Sequence, residues 1–455
     1  MTDSKTLAAK REIIQHFSTA INEKKQSLEV PKNDVIDFRN DKDITFAREI
    51  WLVPIDLLHF RPDNNRINAK MKTFMKYHPE FSDVNGHTKP EFQRIIAEKL
   101  KEQDKAKFKE LKSLIKAKGQ DKYAIATCDG FLIDGNRRKA VMEELFKEDG
   151  SKQFSMMKVI LLPDGKKEGD GGAPTNQEIR TLERILQISK DGRSEYTNLN
   201  KALSTKEEIE LLDGDKEAYL KADPGNRNII SDKRKFNKAL KEIQNDYLGP
   251  LETIDRYLVE IDKEDEYTII EEKANWNAFR DFYQKIISKV TPDDGYTAED
   301  ASGLTDIGFK MLSTGNFERE IMHEIRDLKK YWDDNEQRKK ISYIKKLENP
   351  ELISDDNEAN KVRENIRDIV KKTREIKSHT DAKDKPLKLV RDALAKIEKI
   401  NIEDVNSDYD EILTKLRDLK YCSDSLESKV FTKNKNLGKD LKALKKQLEK
   451  KSNKN

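Results

Sequence analysis

A chain of 455 residues carrying 89 Lys and Arg against 86 Asp and Glu is almost neutral, at +3, so net charge names no partner and only local clusters can point to nucleic acid. Charged residues reach 38% and hydrophobic ones only 35%, which argues against one large apolar globule and predicts two or three domains of largely exposed helix with narrow apolar stripes. Cys128 and Cys422 are far apart and the 6 histidines are scattered, so neither a disulfide framework nor a zinc centre is expected; with no apolar run of roughly 18 residues and a charged start, the expectation is a cytoplasmic protein without a membrane partner.

Residues 1–44 read as an N-terminal helical extension, with a charged helix over 7–23 and a loop around Pro31. Residues 45–174 read as an α+β domain. It opens with a strand at Trp51 that runs into a proline-marked loop, LVPIDLLHFRPDNNRI, and it carries an insertion over 69–109. A helix then stops at Gly119, a strand follows over 123–127, Asp129-Gly130 marks a hairpin turn, and 131–133 forms the returning strand. DGNRRKAVMEEL starts an amphipathic helix, with Asp134 or Asn136 as its cap and Ala140, Val141 and Leu145 at helical spacing. Free N–H groups at such a helix start favour an anion, Gly135 lets the backbone approach it, and Arg137 and Arg138 add forked charged donors. This turn is the candidate phosphate site. The glycine-rich stretch 163–174 reads as a surface loop, either linker or lid.

From 175 onward the pattern is helical. Residues 175–290 form a helical domain in which Trp276, Phe279, Phe282, Tyr283, Ile286 and Ile287 make the densest aromatic stripe, expected in a core or an interface. The stretch 229–258 is read either as a degenerate helix-turn-helix or as plain bundle; its Lys233, Arg234, Lys235 and Lys238 at a helix start are the candidate DNA-phosphate contacts. Residues 291–455 are polar helix with a basic tail: between 429 and 455 stand 10 lysines, and Leu437, Leu441, Leu444 and Leu448 make a short helix seam, too short by itself to hold a possible homodimer.

Three blocks together resemble the ParB/sulfiredoxin-like N-terminal domain, the first of them a hairpin unit that joins LKSLIKAKGQDKYAIAT to DGNRRKAV. LKSLIKAKGQDKYAIAT is similar to that family's helix and strand, DGNRRKAV stands where the family carries its G-E-R-R phosphate motif or a D-G-x-x-R variant, and the loop after Trp51 matches its first box, with Arg66 as the matching arginine. A third block, from Leu182, resembles the segment that follows the strand domain in partition proteins. The resemblance implies an α+β fold, a ParB/sulfiredoxin-like N-terminal domain followed by a predominantly α-helical region. It implies a nucleoside triphosphate, CTP or ATP, held by Arg66, Asp134, Gly135, Asn136, Arg137 and Arg138, and Mg²⁺ near Asp134 and Asp129, with Asp63 also in reach. Three functions follow from it: a nucleotide-responsive DNA-binding protein, a nucleotide-hydrolysing or nuclease-like enzyme of a DNA-modification or phage-defence system, or an interaction scaffold with a vestigial pocket. No G-x-x-x-x-G-K-[ST] run occurs, which excludes the P-loop ATPases, and no catalytic residue is assigned.

Overall fold

The computed structural model describes residues 11–36, 47–165, 172–188, 197–223, 226–273, 275–314, 319–397 and 409–433. Two compact units divide the chain, Met1–Ile376 and Lys377–Asn455. The fold is mixed α+β, predominantly helical with one small mixed sheet. The leucine seam and nearly all of the lysine tail at 434–455, and part of the glycine-rich loop, lie outside the described residues.

Six strands make the sheet: β1 Gln26–Ser27, β2 Asn33–Val35, β3 Ala47–Pro54, β4 Ala124–Ala126, β5 Leu132–Asp134 and β6 Met156–Leu161. Their order is β1-β3-β6-β4-β5 with β2 also on β3; β4 and β6 run parallel and the other pairings are antiparallel. Because side chains alternate across a strand, each strand feeds two cores. Trp51, Val53, Ala124, Ala126, Leu132, Met157 and Val159 face one side, where they meet α4 (Pro90–Gln103), α5 (Lys105–Lys118) and α6 (Asn136–Asp149). Ile50, Ile125, Ile133, Ile160 and Leu162 face the other, against Ile179 and Leu182 of α7 (Asn176–Ile188). Ahead of these come α1 (Gln15–Lys24), α2 (Asn68–Tyr77) and the single turn α3 (Val84–His87); α8 (Asn198–Glu210) follows α7.

Two features differ from the sequence reading. Residues 15–24, read as part of an extension, belong to the core: Ile21 is fully buried among Leu57, Leu58 and Phe60, and Gly130 at the hairpin turn sits against Ile21 and the Leu57 carbonyl. Gly135, rather than Asp134 or Asn136, is the cap of α6. It has φ +100°, and a Cβ there would lie 2.6 Å from the Ala124 Cβ, so the chain turns from β5 into α6 only through a residue without a side chain.

The helical part of the first unit has its own core, in which Trp276, Phe279, Phe282 and Ile286 pack with Leu251, Ile254, Tyr257, Phe309, Leu328 and Tyr331. Lys233–Ile243 and Gly249–Glu260 are joined by a π-helical segment, Gln244–Leu248, whose flanking residues are all helical, so this stretch is one rod and not two helices meeting at a turn. Pro250 has no N–H to donate, and a wider turn before it accommodates the missing bond. Gly249 lies under the Tyr283 ring, which explains the glycine without a turn.

Gly135→Ala is expected to lower unfolding free energy by about 2 kcal/mol or more, through the positive φ and the clash with Ala124. Urea denaturation beside Gly150→Ala, whose Cβ would meet nothing within 4 Å, separates the contact from the dihedral cost.

Candidate functional site

After β3 the chain crosses to the far edge of the sheet and runs beside β5, with His59 bridged in parallel to Phe131, and then turns through Arg61, Asp63 and Asn65. The hairpin turn, the N-terminal segment, α3, α7 and α8 close around this loop. The resulting cleft of about 510 Å³ is lined by Arg11, Glu12, Arg61, Pro62, Asp63, Val84, His87, Thr127, Phe131, Asn176, Ile179, Arg180, Glu207, Glu210 and Leu211. Each of the three sequence blocks, the first-box loop, the hairpin unit and the segment around Leu182, brings residues to it or to its immediate support.

An ionic junction forms the floor. Arg61 donates to Asp63 through Nε (3.0 Å) and Nη2 (2.6 Å) and lies 3.5 Å from Glu183; Arg180 donates to the Asp63 carbonyl, Asn65 Oδ1 and Glu207. Glu207 also takes Lys72 and Asn68 from α2. Burial raises the Asp63 carboxyl, but Arg61 and Arg180 outweigh it and hold the group far below the ordinary carboxylate range. Burial prevails at Glu183, whose carboxyl is raised against the pull of the same two arginines.

Arg11 closes one wall. Its guanidinium grips Asp129 at 2.5 and 2.6 Å, the Ile14 N–H and the Thr127 hydroxyl bond the same fully buried carboxylate, and the Arg11 plane lies 4.7 Å above the Phe131 ring. Beside it, His59 stacks edge-on against Phe17 at 4.3 Å; burial first, and the charge on Lys139 second, push its imidazole down to about 4. Cys128 is buried and its thiol is pushed up to about 11 by burial and by Asp129, which makes it a packed residue rather than a nucleophile.

The sequence-proposed phosphate turn lies at the other end of β5 and does not line this cleft. Arg138 is turned back onto the fold, donating to the Lys122 and Tyr123 carbonyls and to Asp134. Asn136 is buried and donates to the Leu132 carbonyl. Arg137 is half-buried on the first turn of α6, and Arg66 is half-buried in its loop, its backbone tied to Asn64 and Asn200. Lys233, Arg234, Lys235 and Lys238 are exposed on a helix capped by Asp232. Reasoning from local pattern passed over Arg11, Arg180 and Glu207, whose partners are distant in the chain, and gave Arg61 no role.

The carboxylates nearest these arginines do not fit a resident magnesium ion. Asp134 is paired with Arg138, Asp129 with Arg11 and Asp63 with Arg61, so an ion would have to displace a guanidinium; no group of three or more His, Cys, Asp or Glu among the described residues is arranged as a metal site. Among the described residues, no helix is long and apolar enough to cross a membrane. No family model matches the chain, and no curated protein and no solved structure matches it.

Arg11→Ala leaves Asp129 charged in a fully buried site and is expected to cost about 3 kcal/mol or more, with Asp129→Asn in the same chain recovering part of the loss; chemical denaturation of the two single variants and the double variant reads the coupling. His59 supplies a pH signature. Its folded-state value lies below the unfolded one, so the unfolded chain takes up the proton first. Stability present above pH ~6.5 is lost as pH falls toward about 4, by at most on the order of 3 kcal/mol. His59→Phe should flatten that part of a stability-versus-pH curve.

Proposed function

We propose that the chain is a nucleotide-responsive DNA-binding protein of the ParB/sulfiredoxin-like class. The observation that carries the proposal is that the three sequence blocks converge on one cleft, beside a strand that leads directly into the glycine-capped start of α6. In this reading phosphate takes the first N–H groups of α6 and the Arg137 guanidinium. Arg138 serves this site by holding Asp134 and the β4 approach in place.

DNA is held, in this reading, by Lys233, Arg234, Lys235 and Lys238 on the first turns of their helix. A packed route joins the two ends. Glu207 in the cleft wall belongs to α8, and α8 packs against the π segment that directly continues the lysine-bearing helix. A nucleotide that alters the Arg180–Glu207 pair would bias the position of that rod, and the coupling would act equally in both directions. Binding with slow or absent turnover is favoured over hydrolysis because the nearest carboxylates are each committed to an arginine.

Nucleotide should change DNA affinity by fivefold or more, and DNA should change nucleotide affinity by the same factor; fluorescence anisotropy with labelled duplex and labelled nucleotide reads both. Arg137→Ala should weaken nucleotide tenfold or more, and Arg138→Ala should lower both nucleotide affinity and stability. Equal DNA binding with and without CTP, ATP and GTP would remove the switch.

A further inference from the structure

We propose that the cleft receives the base of the nucleotide and selects bases bearing an exocyclic amino group, with the Asp63 carboxylate as acceptor. The inference rests on the nucleotide reading above and adds an orientation and a specificity to it.

What a ligand meets in this cleft differs from what the residue names suggest. Three arginines contribute to its walls, but they are mostly covered: the side chains of Arg61, Arg180 and Arg11 are 7%, 9% and 15% exposed. Their donors are directed to Asp63, Asn65, Glu207 and Asp129. The Asp63 side chain, in contrast, is 43% exposed and Glu207 is 19% exposed, while Glu12 and Glu210 stand exposed at the rim. The accessible polar surface therefore contains the carboxylate oxygens of Asp63, Glu12 and Glu210 beside the half-buried His87 and Asn176, over a guanidinium floor. These carboxylates disfavour a triphosphate in the cleft, so the base is the end of the nucleotide that suits it.

The remaining lining suits a flat ring. Pro62, Val84, Phe131, Ile179 and Leu211 supply apolar walls, and about 510 Å³ is within the usual range for a small-molecule site. Asp63 is held ionised by its two arginines, so it accepts hydrogen bonds and donates none. Cytosine and adenine present an amino group on the pairing edge, and guanine presents one at N2. Uracil, and hypoxanthine in place of adenine, put a carbonyl oxygen where the amino group stood. That oxygen would face a carboxylate, losing a charge-assisted hydrogen bond and leaving two acceptors opposed. A site built around one donor discriminates far more strongly than a change in apolar bulk does.

The test uses the full chain and pairs of triphosphates that differ at the amino group: CTP against UTP and ATP against ITP, where a carbonyl replaces it, and GTP against ITP, where hydrogen replaces it, by calorimetric titration. The expected result is that whichever amino-bearing nucleotide binds does so at least tenfold more tightly than its amino-free counterpart. In Asp63→Asn, an amide N–H replaces one acceptor oxygen, and the ratio should fall by tenfold or more through gain of the amino-free partner. Measurable binding with equal affinities within the pairs overturns the base selection while leaving the nucleotide reading standing. Absence of binding by all five overturns both. An unchanged ratio in a folded Asp63→Asn overturns the assignment to Asp63, and if that variant does not fold, the ratios in the native chain decide.

Discussion

Asp63 sits between Arg61 and Arg180, with Glu183 and Glu207 completing the set, and the geometry of the cleft follows from the need to keep these charges paired. A guanidinium that is more than nine-tenths covered cannot be left without counter-charge, because its desolvation is offset only by close, well-aligned partners. Arg61 belongs to the loop after β3, Arg180 to α7 and Glu207 to α8. Pairing them fixes three segments that no continuous sheet or helix connects. The junction is therefore a device for position more than for stability: apolar residues of the same volume would pack equally well but would not specify which carboxylate faces the cleft.

The sheet supplies the rigid reference for that junction. β4 and β5 are buried on both faces, by α4, α5 and α6 on one side and α7 on the other, and both are only three residues long. Short strands covered on two sides leave little room for register error, since a slip by one residue would exchange the two cores. Gly135 closes this block against the Ala124 methyl group and the Met157 side chain, so the start of α6 is set by an approach that only a residue without a side chain allows.

Local chemistry was the legible part of the sequence. Asp129-Gly130 marked the hairpin, Gly119 marked the end of α5, and the DGNRR run marked a helix start, because each depends on residues within a few positions of one another. The pairing of Arg138 with Asp134 was also within reach, as an i,i+4 ion pair that assigns this arginine to the fold. The cleft was not legible. Arg11 and Asp129 are 118 residues apart, and so are Asn65 and Glu183, and no spacing rule announces such contacts. Residues 229–258 left helix-turn-helix and plain bundle both open, and the structure shows one rod through a π segment, with Gly249 under the Tyr283 ring.

The grip of Arg11 on Asp129 also bears on the order in which the molecule assembles. Bringing together groups 118 residues apart costs about 4 kcal/mol of loop-closure entropy, so this contact forms after the hairpin, and late contacts are also those that release first. One wall of the cleft is thus held by a contact between distant parts of the chain, while the floor is fixed in the sheet and helices. Entry to the cleft then needs no movement of one domain against another. The Arg11 grip on Asp129 is the contact whose release would widen that wall.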